Sequence, residues 1–187
     1  MTALPRFEEV ARVRPVDVLA SVELELDGPG HAALPQPAPS VAVVAECDGP
    51  ATLTLGTTGG GEIAATLDGR RRTALIVDGR LARSRRHGRS RAPVEALALT
   101  VTGPQATVLT RSGGVWTARA RVALTAPTSD PAWCAGLRVR AEGAVGRVRA
   151  GGFGGLGLRD LRLVSNADGT PHSPDGPDGR ILLTATS

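Results

Sequence analysis

Between Val41 and Val77 the chain is cut into short apolar runs by turns of one chemical kind. Val41 to Cys47 ends at Asp48-Gly49-Pro50, and Ala51 to Leu55 ends at Thr57-Thr58-Gly59-Gly60-Gly61. Glu62 to Leu67 ends at Asp68-Gly69, and Thr73 to Val77 at Asp78-Gly79. Asp and Gly reach the positive φ angles of tight hairpins, and a hairpin leaves its two strands antiparallel. Punctuation this frequent leaves no room for helices of ordinary length, so the chain is constrained to antiparallel sheet.

The same grammar extends in both directions. Ala20-Ser21-Val22-Glu23-Leu24-Glu25-Leu26 alternates apolar and polar, the period of a half-buried strand, and Asp27-Gly28-Pro29-Gly30 turns it. His31 to Ser40 carries Pro35, Pro37 and Pro39 and reads as a loop or an extended edge segment. Ala96 to Thr102, Ala106 to Thr110, Val115 to Leu124, Gly136 to Arg140 and Val145 to Ala150 read as further strands. About ten short strands with no amphipathic helix predict an all-β fold, an antiparallel sandwich of jelly-roll type over residues 20–150. Residues 1–19, with Pro15 inside an otherwise mixed stretch, read as an irregular lead-in.

Composition narrows the function classes. A chain of 187 residues is long enough to bury a core, and that core must be aliphatic, because aromatic residues make up 2% and tyrosine is absent. The same scarcity argues against nucleic acid, whose bases are gripped by aromatic faces. Cys47 and Cys134 are far apart and lack metal-ligand spacing, which predicts two buried reduced thiols. His31, His87 and His172 are isolated, and no cofactor or metal is expected. Glu8 and Glu9 stand where a signal peptide would have its apolar centre, and no run reaches membrane-spanning length. The expectation is a cytoplasmic protein that does not enter a membrane.

Charge is unevenly placed. Residues 70–91 hold nine arginines (Arg70, Arg71, Arg72, Arg80, Arg83, Arg85, Arg86, Arg89 and Arg91) against Asp78 alone, a net +8 in a chain whose total is +4. A dense like-charge set is most simply a solvated loop, and functionally a docking surface for an anionic partner. Arg83, Arg85, Arg86 and Arg89 are the binding candidates within it.

From Gly151 the character changes. Gly151-Gly152-Phe153-Gly154-Gly155-Leu156-Gly157 is followed by a strand pattern, not the helix a dinucleotide-binding loop requires. That strand, Leu158-Arg159-Asp160-Leu161-Arg162-Leu163-Val164, sets an acid among apolar residues. A carboxylate there either closes an ion pair with Arg159 or Arg162 or lines a polar cleft. Asn166, Asp168, Asp175 and Asp178 in the following loop read as turn chemistry, not a calcium site.

The run Gly157-Leu158-Arg159-Asp160-Leu161-Arg162-Leu163-Val164, with Gly179-Arg180-Ile181-Leu182-Leu183-Thr184-Ala185-Thr186 after it, resembles the opening hairpin of five-bladed β-propeller glycoside hydrolases of families 43 and 32. Leu161 stands where those families carry proline. The pattern from Leu75 to Val101 is similar to the concanavalin-like sandwich attached to some of them. The resemblance implies that residues 151–187 are the first hairpin of an incomplete propeller blade, in a truncated protein. It assigns Asp160 as general base and Arg159 as a binding neighbour, in a parent that acts on carbohydrate. Glycoside hydrolysis needs a second carboxylate, so no turnover is expected from these residues alone. The alternative is a non-catalytic module that holds an anionic partner on its Arg-rich hairpin.

Overall fold

A computed structural model describes residues 18–35, 40–58, 61–82, 88–154, 159–170, 172 and 183–186, the last two strands by backbone alone. Two compact units divide the chain, residues 1–155 and 156–187.

Among its described residues, the first unit is one antiparallel sheet of ten strands. In chain order these are β1 (Leu24–Asp27), β2 (Gly30–Ala33), β3 (Ser40–Thr57), β4 (Glu62–Leu67), β5 (Thr73–Val77), β6 (Arg80–Leu81), β7 (Ala96–Thr102), β8 (Gln105–Ser112), β9 (Val115–Ala123) and β10 (Leu137–Gly152). Strands β3 and β10 pair along nearly their whole length and form the spine. On the other side of β3, its first half pairs with β7 and its second half with β4. Likewise β10 takes β1 against its last residues and β2 against its first. Each half of the spine therefore carries its own set of strands, β9-β8-β7 on one and β6-β5-β4 on the other, and the sheet curls until β5 lies beside β9 and β8.

The curl gives the sheet an inside. Leu53, Leu55, Leu75, Leu97, Leu99, Val108, Leu137 and Val139 are all at most 1% exposed and belong to one aliphatic cluster drawn from both halves. On β3 the inward residues keep one parity, Val41, Val43 and Ala45, then Ala51, Leu53 and Leu55. On β10 they change parity, from Leu137, Val139 and Ala141 to Val148 and Ala150, and the ladder accommodates this through register shifts at Gly143 to Val145 and Val145 to Val148. An extra residue on one strand reverses which face follows it.

These spine strands correct the expectation of separate sheets. Asp48-Gly49-Pro50 is a corner within β3, not a hairpin turn, and the predicted break between Arg140 and Val145 is bridged by β10. Pairing to β7 stops at Glu46 and pairing to β4 starts at Ala51. Pro50, which has no N–H to give, therefore sits where no neighbouring strand needs one. Asp78 and Gly79, with φ of 50° and 72°, make the tight turn that their sequence predicts. A short helix, α1 (Pro131–Ala135), was not expected; Asp130 caps it by accepting from the Ala132 N–H at 2.7 Å, with proline in the first turn. Cys47 and Cys134 are free and buried.

In the second unit β11 (Arg159–Leu163) and β12 (Leu183–Thr186) pair antiparallel, Arg159 opposite Thr186 and Arg162 opposite Thr184. The register shifts between those two pairs, at Asp160 and Leu161. The expected lead-in lies outside the described residues up to position 17; Val18 is buried and Leu19 bridges to Phe153.

Candidate functional site

The arginine-rich segment is organised by one acid. Asp68 Oδ1 accepts the backbone N–H groups of Arg70 and Arg72, each at 2.8 Å, and closes the β4–β5 turn. The Arg72 N–H first, then that of Arg70 and the charges of both arginines, hold its carboxyl below the usual range. Within this turn Arg71 takes a φ of 62°, a left-handed conformation that an L-residue with a long side chain seldom adopts.

A second segment is laid along this turn. Arg72 and Arg89 form an antiparallel bridge, the Ser90 N–H donates to the Arg71 carbonyl at 2.9 Å, and the Arg71 guanidinium donates to the Arg91 carbonyl at 3.1 Å. The result is a recess of about 360 Å³ lined by Arg71, Arg89, Ser90 and Arg91. Ser90, only 2% exposed, donates its hydroxyl to the Ala92 carbonyl at 2.8 Å.

Behind Ser90 stands Arg119. In the β8–β9 ladder Val108 pairs with Ala120 and Leu109 with Ala118, so Arg119 is the extra residue of a β-bulge. Its guanidinium donates to Thr110 Oγ1 at 2.7 Å, to Ser90 Oγ at 3.3 Å and to the Arg89 carbonyl at 3.4 Å. Burial pushes this guanidinium below its ordinary range, yet an arginine remains charged. Among the described residues, its partners are all neutral oxygens.

Other arginines show the contrast. Arg140 pairs with Glu62 and reaches Glu142 at 3.9 Å, Arg147 meets Glu25 at 3.0 Å, and Arg111 lies 3.6 Å from Glu95 and over the Trp116 ring. Among the described residues no carboxylate lies within ion-pair distance of Arg71, Arg89, Arg91 or Arg119. The bridge sets Arg72 directly across from Arg89, and like charges directly opposite on paired strands are destabilising.

Of the predicted binding residues, Arg89 lines the recess, while Arg83, Arg85 and Arg86 lie outside the described residues. Arg159 and Asp160 are placed by backbone only, on β11 at and beside the register shift. Arg71, Arg91 and Arg119 were not among the predicted binders; for Arg119 no sequence signal connects a β9 residue to residues 70–91. Asp168 makes a turn, as its sequence predicts: its Oδ1 accepts the Thr170 hydroxyl at 2.7 Å and the Thr170 N–H at 2.9 Å, and these bonds hold its carboxyl below the usual range. Asp175 and Asp178 lie outside the described residues. Among the described residues no three His, Cys, Asp or Glu side chains gather where a metal ion could be held, and no helix is long and apolar enough to cross a membrane. A second hollow, beside Trp133 and Ile63, measures about 30 Å³, room for a water and not for a sugar.

No family model matches this sequence, and no curated protein does either. Among solved structures the chain is similar to sheep galectin-11 in complex with glycerol, at 13% identity over 67% of this chain and 98% of that one, with a TM-score of 0.45. It is similar to the galectin LEC-6 of Caenorhabditis elegans at 12% identity over 75% and 99% of the two chains, TM-score 0.41. A third similarity is to the GH43 protein BlXynB of Bacillus licheniformis, at 11% identity over 59% of this chain but 26% of that one, TM-score 0.39. At superposition scores this low, none of the three says what this chain binds.

Proposed function

We propose that this chain is a non-catalytic, sandwich-like β module that docks an anionic partner through the arginines of residues 70–91. The observation that carries this reading is the recess between the two segments, where Arg71, Arg89 and Arg91 line one hollow with no described carboxylate among them. Holding like charges together costs free energy, and a bound anion offsets that cost. Recognition acts on the partner's acidic groups, because residues 70–91 contain nine arginines and no Phe, Tyr or Trp on which a base or sugar ring could stack. The test is affinity for a soluble polyanion, heparin or polyphosphate, against neutral dextran at rising NaCl. Binding that weakens steeply with salt, and weakens further when Arg83, Arg85, Arg86 and Arg89 are changed to Ser, supports the module. Equal indifference to polyanion and dextran refutes it.

A second reading rests on the register shift of β11. Asp160 sits in a bulged stretch of a paired strand, a place where side chains are re-aimed near reacting groups. In this reading Asp160 is the general base of a glycoside hydrolase-like parent, Arg159 assists in binding carbohydrate, and the general acid is supplied from elsewhere. Asp160→Asn in a parent with measurable hydrolysis should then lower the rate by about 10²- to 10⁴-fold. Unchanged hydrolysis would remove Asp160 from the chemistry.

A further inference from the structure

Behind the floor of the recess stands a cation that the arginine-rich segment does not itself supply. Counted by simple alternation, Arg119 belongs with the outward residues of β9, because its neighbour Ala120 faces the core. The bulge instead turns it inward, onto the fully buried Thr110 and onto Ser90, the floor of the recess. Ser90 donates its own proton to Ala92, so its oxygen is left as an acceptor and serves as a spacer between Arg119 and the recess. Three independent features thus meet at one place: a bulge that re-aims a cation, a left-handed Arg71, and a bridge that opposes two arginines.

Resting on the anion-docking reading above, we infer that this recess is a seat for one tetrahedral oxyanion, a phosphate or sulfate group, with Arg71, Arg89 and Arg91 as its walls and Arg119 as the charge behind its floor. The number of donors decides against a carboxylate. Each guanidinium presents five N–H groups, and among the described residues Arg71 commits one of them, to the Arg91 carbonyl. A planar carboxylate has two oxygens on one edge and suits a single arginine fork. A tetrahedral group can accept from three sides at once and can carry a second negative charge. Arg119 keeps its guanidinium on neutral oxygens, so its charge acts on whatever occupies the recess instead of being cancelled locally.

The test follows thermal unfolding of the full chain in sodium sulfate, sodium phosphate or sodium acetate at low millimolar concentration and fixed ionic strength, with heparin as a polymeric arm. Sulfate and phosphate should raise the melting temperature by site binding, and acetate should not. Arg71→Gln should weaken the apparent affinity about tenfold, the loss of a charge-assisted contact, and Arg119→Gln should weaken it through loss of the charge behind the floor, while Arg121→Gln, exposed on the same strand, should not. Should Arg119→Gln fail to fold, Arg71→Gln and Arg91→Gln carry the comparison. Equal protection by acetate, or equal protection of the Arg71 and Arg121 variants, overturns the seat. Salt-sensitive heparin binding without protection by either small ion refutes the seat and leaves the docking module standing. Loss of both refutes both. Protection by the free ions with no gain from heparin confirms the seat and assigns it a small anion as its source.

Discussion

Replacing Gly143 by alanine tests how the spine strands turn their corner. Gly143 has a φ of 88° and lies opposite Ala51, where β10 leaves one half of the sheet and enters the other. A methyl group there would overlap the Pro50 carbonyl oxygen and come within 3.2 Å of the Ala51 Cα. Both obstacles are backbone atoms of the paired strand, so neither can swing aside as a side-chain end would. Two terms add. An L-residue forced to positive φ costs about 1–2 kcal/mol, and forcing extra volume into a packed site costs about 1–3 kcal/mol. The sum, about 2–5 kcal/mol, corresponds in a chain of this size to a fall in melting temperature of roughly 5–20 °C. Gly79→Ala supplies the control, because Gly79 also has positive φ, 72°, but nothing within 4 Å of an added Cβ. It should lose the conformational term alone, about 1–2 kcal/mol. Denaturant unfolding of the two variants with the parent separates the terms. Should Gly143→Ala lose no more than Gly79→Ala, the close approach at the corner is not what fixes glycine there.

The buried thiols and the arginine segment give two further expectations. Burial first, then the nearby Asp48 charge, pushes the Cys47 thiol up to about 11 from the 9.0 of a free thiol, and burial also raises Cys134. A raised folded-state value means that the thiol's contribution to stability is complete below pH 9.0 and is lost as pH climbs through about 11. Unfolding free energy of the parent should therefore fall across that window more than that of Cys47→Ala, and native Cys47 should resist alkylation at pH 8; prompt labelling without unfolding contradicts its placement. Changing Arg83, Arg85, Arg86 and Arg89 to Ser should leave the melting temperature within a few degrees, since thinning a like-charge set removes repulsion. A collapse of the fold would show that these side chains pair with acids on which folding depends.

What the sequence discloses and what it conceals follow from the range of each signal. Turn chemistry is local. Asp78-Gly79 predicts a hairpin and makes one, and the seven residues of β7 can be bounded by inspection, because their signals lie within the residues concerned. A corner in a long strand is not local. Asp48-Gly49-Pro50 has the composition of a hairpin turn, yet the chain bends there without reversing and takes up pairing with β10 again at Ala51, because a partner nearly a hundred residues later is long enough to bridge both halves. Nothing between Val41 and Leu55 announces that partner.

The candidate site divides along the same line. The density of arginine from residue 70 to 91 is visible in the sequence, but which of them share a recess depends on a bridge between Arg72 and Arg89 and on the left-handed Arg71. Arg119 is harder still, since alternation along Thr117-Ala118-Arg119-Ala120-Arg121 assigns Arg119 and Arg121 to the same outward face. One additional residue in β9 separates them, sending Arg119 in toward Ser90 and leaving Arg121 exposed. A bulge is a decision made by two strands together, so the period of either strand alone counts past it. Comparing Arg119→Gln with Arg121→Gln therefore asks whether the bulge builds a site or merely relieves twist: two identical substitutions two residues apart should have unlike effects on anion protection only if the bulge has set their side chains to different tasks.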